Sequence, residues 1–196
     1  MGYLSLIVPI NLPNLLTLAR ICLVPLMVAL IAAGDASGAL YLAAAVFGVA
    51  ALTDVADGHL ARSRNLITTF GRIADPVADK LLVGSALVSL VAIDRLALWI
   101  AAVIILREVG VSLLRYHASL QDITIHVSGL GKAKTGAQMT AIPMLMLVPD
   151  PSAMWVSAVL LAVVGITVAS GLDYWLTYER ERSAIASTGA VPVARW

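Results

Sequence analysis

Six apolar runs, each near the length of a bilayer-spanning helix, occupy most of this chain. The hydrocarbon core of a bilayer is about 30 Å thick, so a helix needs about 20 mostly apolar residues to cross it. Such runs are placed at Leu12–Ala33, Ala39–Arg62, Pro76–Ile93, Leu96–Tyr116, Ala133–Val148 and Ala153–Tyr178. Of the 196 residues 60% are hydrophobic and only 13% are charged, where a soluble domain carries about a quarter charged. The expected fold is an all-α integral membrane protein with six transmembrane helices, forming one domain over residues 1–196.

The connections orient these helices. Gly34–Gly38, Asp94–Arg95 and Pro149–Ser152 fall on one side and carry a single basic residue, Arg95. The other side carries Arg62, Arg64, Arg72, Lys132, Lys134, Arg180 and Arg182. Cytoplasmic loops hold the excess of Lys and Arg, so that side and both termini are expected in the cytoplasm. Met1–Ile10 has no basic region and no small-residue cleavage site, and the first run reads as retained rather than as a signal peptide. Ser183–Trp196 is small, polar and Pro-containing, and reads as a mobile tail. A net charge of +1 excludes a typical nucleic-acid binder. The single cysteine, Cys22, excludes a disulfide framework, and in its apolar run it is expected to be a small buried hydrophobe.

Four of the 12 acidic residues fall between Thr53 and Lys80. Asp54 and Asp57 are three apart at the end of the second run. Asp75 and Asp79 are four apart at the start of the third. Residues at either spacing share a helix face. Two antiparallel helices joined by the polar turn Ser63–Phe70 would point all four carboxylates at one another. Such a cluster near a membrane is costly unless cations offset it. Lys80 and Arg62 supply part of that charge, and a pair of divalent ions would supply the rest. The competing explanation is that these aspartates cap helices and face water. The complete pattern is more specific than either pair: Asp54-x-x-Asp57-Gly58-x-x-Ala61-Arg62, then, after eight residues, Gly71-x-x-x-Asp75-x-x-x-Asp79.

That string resembles the signature of the CDP-alcohol phosphotransferase family at every fixed position. The resemblance implies six transmembrane helices, a homodimer, and a polar cavity open to the cytoplasm. It implies two divalent ions, Mg²⁺ or alternatively Mn²⁺, held by Asp54, Asp57, Asp75 and Asp79, with Asp79 also the catalytic base. It implies a CDP-donor site at Asp57, Gly58, Ala61, Arg62 and Gly71, with Arg62 meeting the diphosphate. His59 occupies a variable slot and takes no role. The chemistry is consistent. Mg²⁺ prefers a few carboxylates plus substrate phosphate oxygens. Two ions roughly 4 Å apart stabilise both oxygens of an in-line displacement. Gly58 lets a ligand approach the backbone, and Arg62 offers a planar fork to phosphate.

Further blocks resemble the bacterial phosphatidylglycerophosphate synthases within that family. They are Asn11-Leu-Pro13-Asn14-Leu-Leu-Thr17-Leu-Ala-Arg20, Asp75-Pro76-Val77-Ala78-Asp79-Lys80-Leu81, Arg107-Glu108-Val109 with Leu114-Arg115, and Gly131-Lys132-x-Lys134-Thr135 with Gln138. Arg107, Arg115, Lys132 and Lys134 then become candidates for binding an acceptor's phosphate. The alternative for Lys132 and Lys134 is a positive-inside flank, and Arg107 either pairs with Glu108 or faces the cavity. Glycerol 3-phosphate fits a basic acceptor pocket. So do inositol phosphate and the phosphate of phosphatidylglycerol, as in a cardiolipin synthase, whereas serine would not require it. The subfamily resemblance favours CDP-diacylglycerol and glycerol 3-phosphate as substrates, and a multi-pass enzyme of the inner (cytoplasmic) membrane. A divalent-cation transporter would also place carboxylates in a lipid bilayer. It would not need Gly58, Ala61 and Arg62 at fixed offsets.

Other residues carry weaker expectations. Asp173 either lines the cavity or bonds a neighbouring helix. His117 and His126 lie in a polar connection without metal-ligand spacing. Trp99, Trp155, Tyr174 and Trp175 suit interfacial belts. Gly48, Gly84 and Gly165 suit close helix packing.

Overall fold

The computed structural model describes residues 12–34, 38–64, 69–121, 123 and 129–188, with side chains for 15–34, 38–53, 75–121, 123 and 129–183. Every regular element among them is a helix: α1 (Leu12–Ala32), α2 (Ala39–Arg64), α3 (Thr69–Ala92), α4 (Leu98–Leu120), α5 (Gly129–Leu147) and α6 (Met154–Thr188). Each contains most of one expected apolar run. Leu15–Ala32 in α1 and Met154–Ser183 in α6 are long and apolar enough to cross a membrane, with mean hydropathies of 2.4 and 2.1, while Ala39–Thr53 is a shorter apolar stretch.

The helices extend beyond the apolar runs. α3 starts at Thr69, so Pro76 lies inside it and Asp75 is already helical. α4 continues to Leu120 and includes His117. α6 continues through Glu179-Arg180-Glu181-Arg182 to Thr188, so Ser183–Thr188 is helix where a mobile tail was expected. Glu and Arg are good helix formers that need no apolar environment. The remainder of the expected tail, like His126, lies outside the described residues.

The chain divides into two compact units, Met1–Leu96 with Ile142–Pro151, and Ala97–Ala141 with Ser152–Trp196. In the first, α1 packs on α2 and α3. The buried face of α2 is Leu40, Ala43, Ala44, Phe47 and Ala50, and its small residues let neighbouring backbones approach. On α3 the buried Ala78, Leu82, Ala86 and Leu90 recur every fourth residue, and Asp75 stands three residues before Ala78 on the same face. The buried face of α1 runs Thr17, Arg20, Met27 and Ile31, so its polar end is as enclosed as its apolar end. Cys22 is exposed rather than buried. It shares the outer surface of α1 with Leu15, Leu18 and Leu26. Apolar character does not imply burial here, because many large apolar side chains face outward.

α3 ends in a Schellman turn. Asp94 takes a left-handed φ of 58°. Its N–H reaches the Val91 carbonyl, and the Arg95 N–H reaches that of Leu90. This is the paired pattern that closes many helices, and Asp is among the few residues that tolerate this φ. Arg95 is then placed to donate from Nη1 to the carbonyls of Leu145 at 3.0 Å and Val148 at 2.8 Å. The last carbonyls of α5 have no partner within their own helix, so a guanidinium supplies one.

In the second unit α4 packs on α6. The α6 residues buried there are Val156, Leu160, Val163, Thr167, Ser170, Tyr174 and Tyr178. Their steps of three and four residues make a single seam. Tyr174, expected at an interfacial belt, is 5% exposed and belongs to this core with Ala118, Ile123 and Tyr178. The Tyr178 hydroxyl donates to Gln121 Oε1 and lies 3.2 Å from His117 Nδ1. Among the described residues nothing lies within 4 Å of where a Cβ would stand on Gly48, Gly84 or Gly165, so no close packing against those residues requires glycine there.

Removing the Arg95 guanidinium leaves the end of α5 without those donors. Hydrogen bonds from charged groups contribute about 1.5–3 kcal/mol. Arg95→Ala should lower stability by about that amount, with Arg95→Lys recovering part, as measured by thermal unfolding in detergent.

Candidate active site

The four aspartates of the signature lie on two packed helices of the first unit, Asp54 and Asp57 on α2 and Asp75 and Asp79 on α3. The side chains of Asp54, Asp57, Ala61 and Arg62, and the surroundings of Gly58 and Gly71, lie outside the described residues. Asp75 and Asp79 are half-buried, one helical turn apart. The Asp75 carboxylate accepts a hydrogen bond from Thr17 Oγ1 across the α1–α3 contact. One turn along α1, Arg20 is 1% exposed. Its Nε donates to the Ala50 carbonyl of α2 at 3.3 Å. Thr53 Oγ1 donates to the same carbonyl at 2.8 Å. α1 thus holds α3 beside Asp75 and α2 one turn before Asp54. Lys80 Nζ lies 3.5 Å from the Pro76 carbonyl of its own helix.

Two carboxylates one turn apart, half-buried and oxygen-only, suit a hard cation such as Mg²⁺ or Mn²⁺. The chemistry of this donor set fits the expected ions. Among the described residues no three acidic, His or Cys side chains gather as a metal site; Asp54 and Asp57 are not in that set.

In the second unit the basic candidates separate into two kinds. Lys134 is 6% exposed and forms an ion pair with Glu108. Arg107 lies 3.5 Å from the same Glu108 carboxylate. Its Nη2 donates to Ser170 Oγ at 2.5 Å, and its guanidinium sits 5.5 Å from the centre of the Tyr174 ring, within cation–π range. A Cβ at Gly171 would stand 3.3 Å from Arg107 Cγ, so glycine there leaves room for this arginine. Arg107 and Lys134 are therefore brought together on one carboxylate. Arg115 and Lys132 are exposed and make no ion pair among the described residues.

Buried polar atoms accompany the Arg107–Glu108–Lys134 group. Gln138, one turn beyond Lys134 on α5, is 3% exposed. Among the described residues its Nε2, the Thr167 hydroxyl and Arg107 Nε have no hydrogen-bond partner. Buried donors left unmade cost about 1–3 kcal/mol each, and in native proteins they point to a partner such as a ligand or water. Asp173 is half-buried on α6 and makes no hydrogen bond or ion pair among the described residues.

Sequence reasoning gave Thr17, Arg20, Ser170 and Gly171 no individual role. Thr17 and Arg20 carried a signal, since a hydroxyl and a guanidinium inside an apolar run need partners. Ser170 and Gly171 carried little, because small residues are common in apolar helices.

A family model described as CDP-alcohol phosphatidyltransferase matches residues 10–169, which run through both units. The chain is 39% identical over 184 residues to a Mycobacterium tuberculosis (strain H37Rv) protein named probable phosphatidylglycerophosphate synthase, covering 92% of this chain and 87% of that protein. It is 40% identical over 180 residues to the CDP-diacylglycerol–glycerol-3-phosphate 3-phosphatidyltransferase of Bacillus subtilis (strain 168), covering 84% and 93%. It is 42% identical over 170 residues to the protein of that same name from Shigella flexneri, covering 84% and 90%. The chain belongs to the CDP-alcohol phosphatidyltransferase family. Dependence on a divalent metal is general in that family.

The Lys134–Glu108 pair makes a direct test. Removing one partner of a buried pair costs about 3–5 kcal/mol, whereas replacing both by apolar residues is often neutral. Glu108 is half-buried and also faces Arg107, so Glu108→Gln should destabilise the protein by about 1–3 kcal/mol, and Glu108→Gln/Lys134→Met, which keeps an acceptor for Arg107 and removes the unpaired ammonium, by less. Chemical unfolding of the three proteins in mixed micelles measures the difference.

Proposed function

We propose that this chain transfers the phosphatidyl group of CDP-diacylglycerol to glycerol 3-phosphate, giving phosphatidylglycerophosphate and CMP. The observation that carries this is the complete Asp54-to-Asp79 string on two packed helices, together with relatives bearing that activity in their names at 39–42% identity over most of the chain. Asp54, Asp57, Asp75 and Asp79 would hold two Mg²⁺ ions, with Mn²⁺ as an alternative. When bound, such ions neutralise charge on the donor diphosphate and on the attacking and leaving oxygens.

The chain's own residues divide the remaining tasks. Gly58, Ala61 and Gly71 leave room for the CDP group, and Arg62 donates to its diphosphate. Asp79 takes the proton from the 1-hydroxyl of glycerol 3-phosphate, for which it must come within hydrogen-bond reach. The hydroxyl oxygen forms a bond to the β-phosphorus, the bond from that phosphorus to the bridging oxygen breaks, and CMP leaves. Arg107 and Lys134 hold the acceptor's phosphate. The burial of Lys134 and the contacts of both side chains with Glu108 support this role over that of a flank, since flanking lysines lie in water or at the headgroups. Arg115 and Lys132, both exposed, serve as outer contacts of the same anion.

The six helices form one membrane domain with both termini in the cytoplasm, and the enzyme works as a homodimer in the inner membrane with its site facing the cytoplasm. The distribution of Arg and Lys supports the orientation, with Arg95 alone among the opposite connections. The outward Leu52, Leu98 and Leu106, each 71% exposed, support a lipid surface.

An acceptor panel tests the reaction. Purified protein in detergent should release CMP from CDP-diacylglycerol with glycerol 3-phosphate, and not with phosphatidylglycerol, inositol phosphate or serine. EDTA should abolish release and Mg²⁺ restore it. Arg107→Ala and Lys134→Ala should each raise the KM for glycerol 3-phosphate by roughly 10- to 150-fold, from about 1.5–3 kcal/mol per charged hydrogen bond. The KM for CDP-diacylglycerol should stay nearly unchanged. Wild-type acceptor kinetics in both variants would remove the two residues from the acceptor site.

A further inference from the structure

We infer that Thr17 of α1 is a positioning residue for the metal site, fixing the Asp75 carboxylate through a buried hydroxyl. This rests on the assignment of Asp75 as a metal ligand. Thr17 is 0% exposed, and its Oγ1 donates to Asp75 Oδ1 from a helix 58 residues away in sequence. A hydroxyl buried among apolar helices is costly without a partner. A threonine in a helix usually satisfies itself on the carbonyl three or four residues back. Thr140 does so on Gly136 and Ala137, and Thr135 on Gly131. Thr17 donates to a carboxylate on another helix. An oxygen of Asp75 engaged by that hydroxyl has a fixed orientation, which leaves the carboxylate's remaining lone pairs aimed in one direction.

The neighbouring contact gives the hydroxyl a precise place. Arg20, one turn further along the same buried face, donates to the Ala50 carbonyl of α2. α1 is thereby pinned to α2 as well as α3, and Thr17 cannot slide along Asp75 without breaking the Arg20 contact. Its branched Cβ also restricts χ1 in a helix, so few rotamers are open to it. Groups that hydrogen-bond a metal's ligands set ligand geometry, and their loss typically costs about 10- to 100-fold in metal affinity or activity.

The test is Mn²⁺ titrated into the full-length protein in detergent, with free Mn²⁺ followed by electron paramagnetic resonance. Thr17→Val keeps the shape and removes the donor; Thr17→Ser keeps the donor. Thr17→Val should weaken Mn²⁺ binding about 10- to 100-fold and reduce the thermal stabilisation given by saturating Mn²⁺, whereas Thr17→Ser should stay within about threefold of wild type. Asp75→Asn, measured alongside, should bind Mn²⁺ more weakly than any Thr17 variant. If Thr17→Val binds Mn²⁺ as wild type does while Asp75→Asn does not, the positioning role is overturned and the metal site stands. If Asp75→Asn also binds normally, the assignment of Asp75 as a ligand fails, and the role of Thr17 with it. If Thr17→Val unfolds earlier by the same interval with and without Mn²⁺, and its affinity is unchanged, the hydroxyl only packs helices.

Discussion

A carboxylate placed among apolar helices is costly unless something donates to it, and for Asp75 that donor comes from the buried edge of α1. Thr17 reaches Asp75 on α3, and Arg20 reaches the Ala50 carbonyl on α2. The two helices that carry the aspartates are therefore both tied to α1 by polar contacts rather than by apolar packing alone. Apolar packing fixes distance but tolerates sliding by a fraction of a turn. A hydrogen bond to a specific oxygen does not. The small residues of α2 complete the arrangement, because Ala43, Ala44 and Ala50 allow neighbouring backbones to come near.

The second unit solves a related problem with charge. Arg107 and Lys134 share one carboxylate, Glu108. In the same unit the amide of Gln138 and the hydroxyl of Thr167 are enclosed and have no hydrogen-bond partner among the described residues. Ser170, Tyr174 and Gly171 hold the Arg107 side chain in place from α6. A guanidinium held on several sides loses little entropy when a ligand binds.

The helices were legible in the sequence because apolar run length is a coarse, robust signal. Their ends were not, because charged helix formers such as Glu179–Arg182 continue a helix that hydropathy has already ended. The spacing of the aspartates singled them out in the sequence, and the structure adds that Asp75 and Asp79 are helical, half-buried and one turn apart on α3. Burial was read less well. Cys22 was expected inside and lies outside, and Tyr174 was expected at a belt and lies inside. In a chain so rich in apolar residues, hydrophobicity no longer separates the core from the outer surface. The partners of polar side chains were the least legible part. Thr17 meets a residue 58 positions away and Arg107 one 63 away, and no local spacing encodes such pairings. Arg95 stood out in the sequence only as the single basic residue of its side's connections, whereas it donates to carbonyls at the end of α5.

In the proposed transfer the 1-hydroxyl oxygen of glycerol 3-phosphate itself becomes bonded to the phosphorus of the lipid. Glycerol 3-phosphate labelled with ¹⁸O at that hydroxyl, incubated with CDP-diacylglycerol, Mg²⁺ and the purified chain, tests it directly by mass spectrometry of the products. One ¹⁸O should appear in the phosphatidylglycerophosphate and none in the CMP. Unlabelled lipid product, or CMP release with no glycerophosphate-containing lipid, would contradict it.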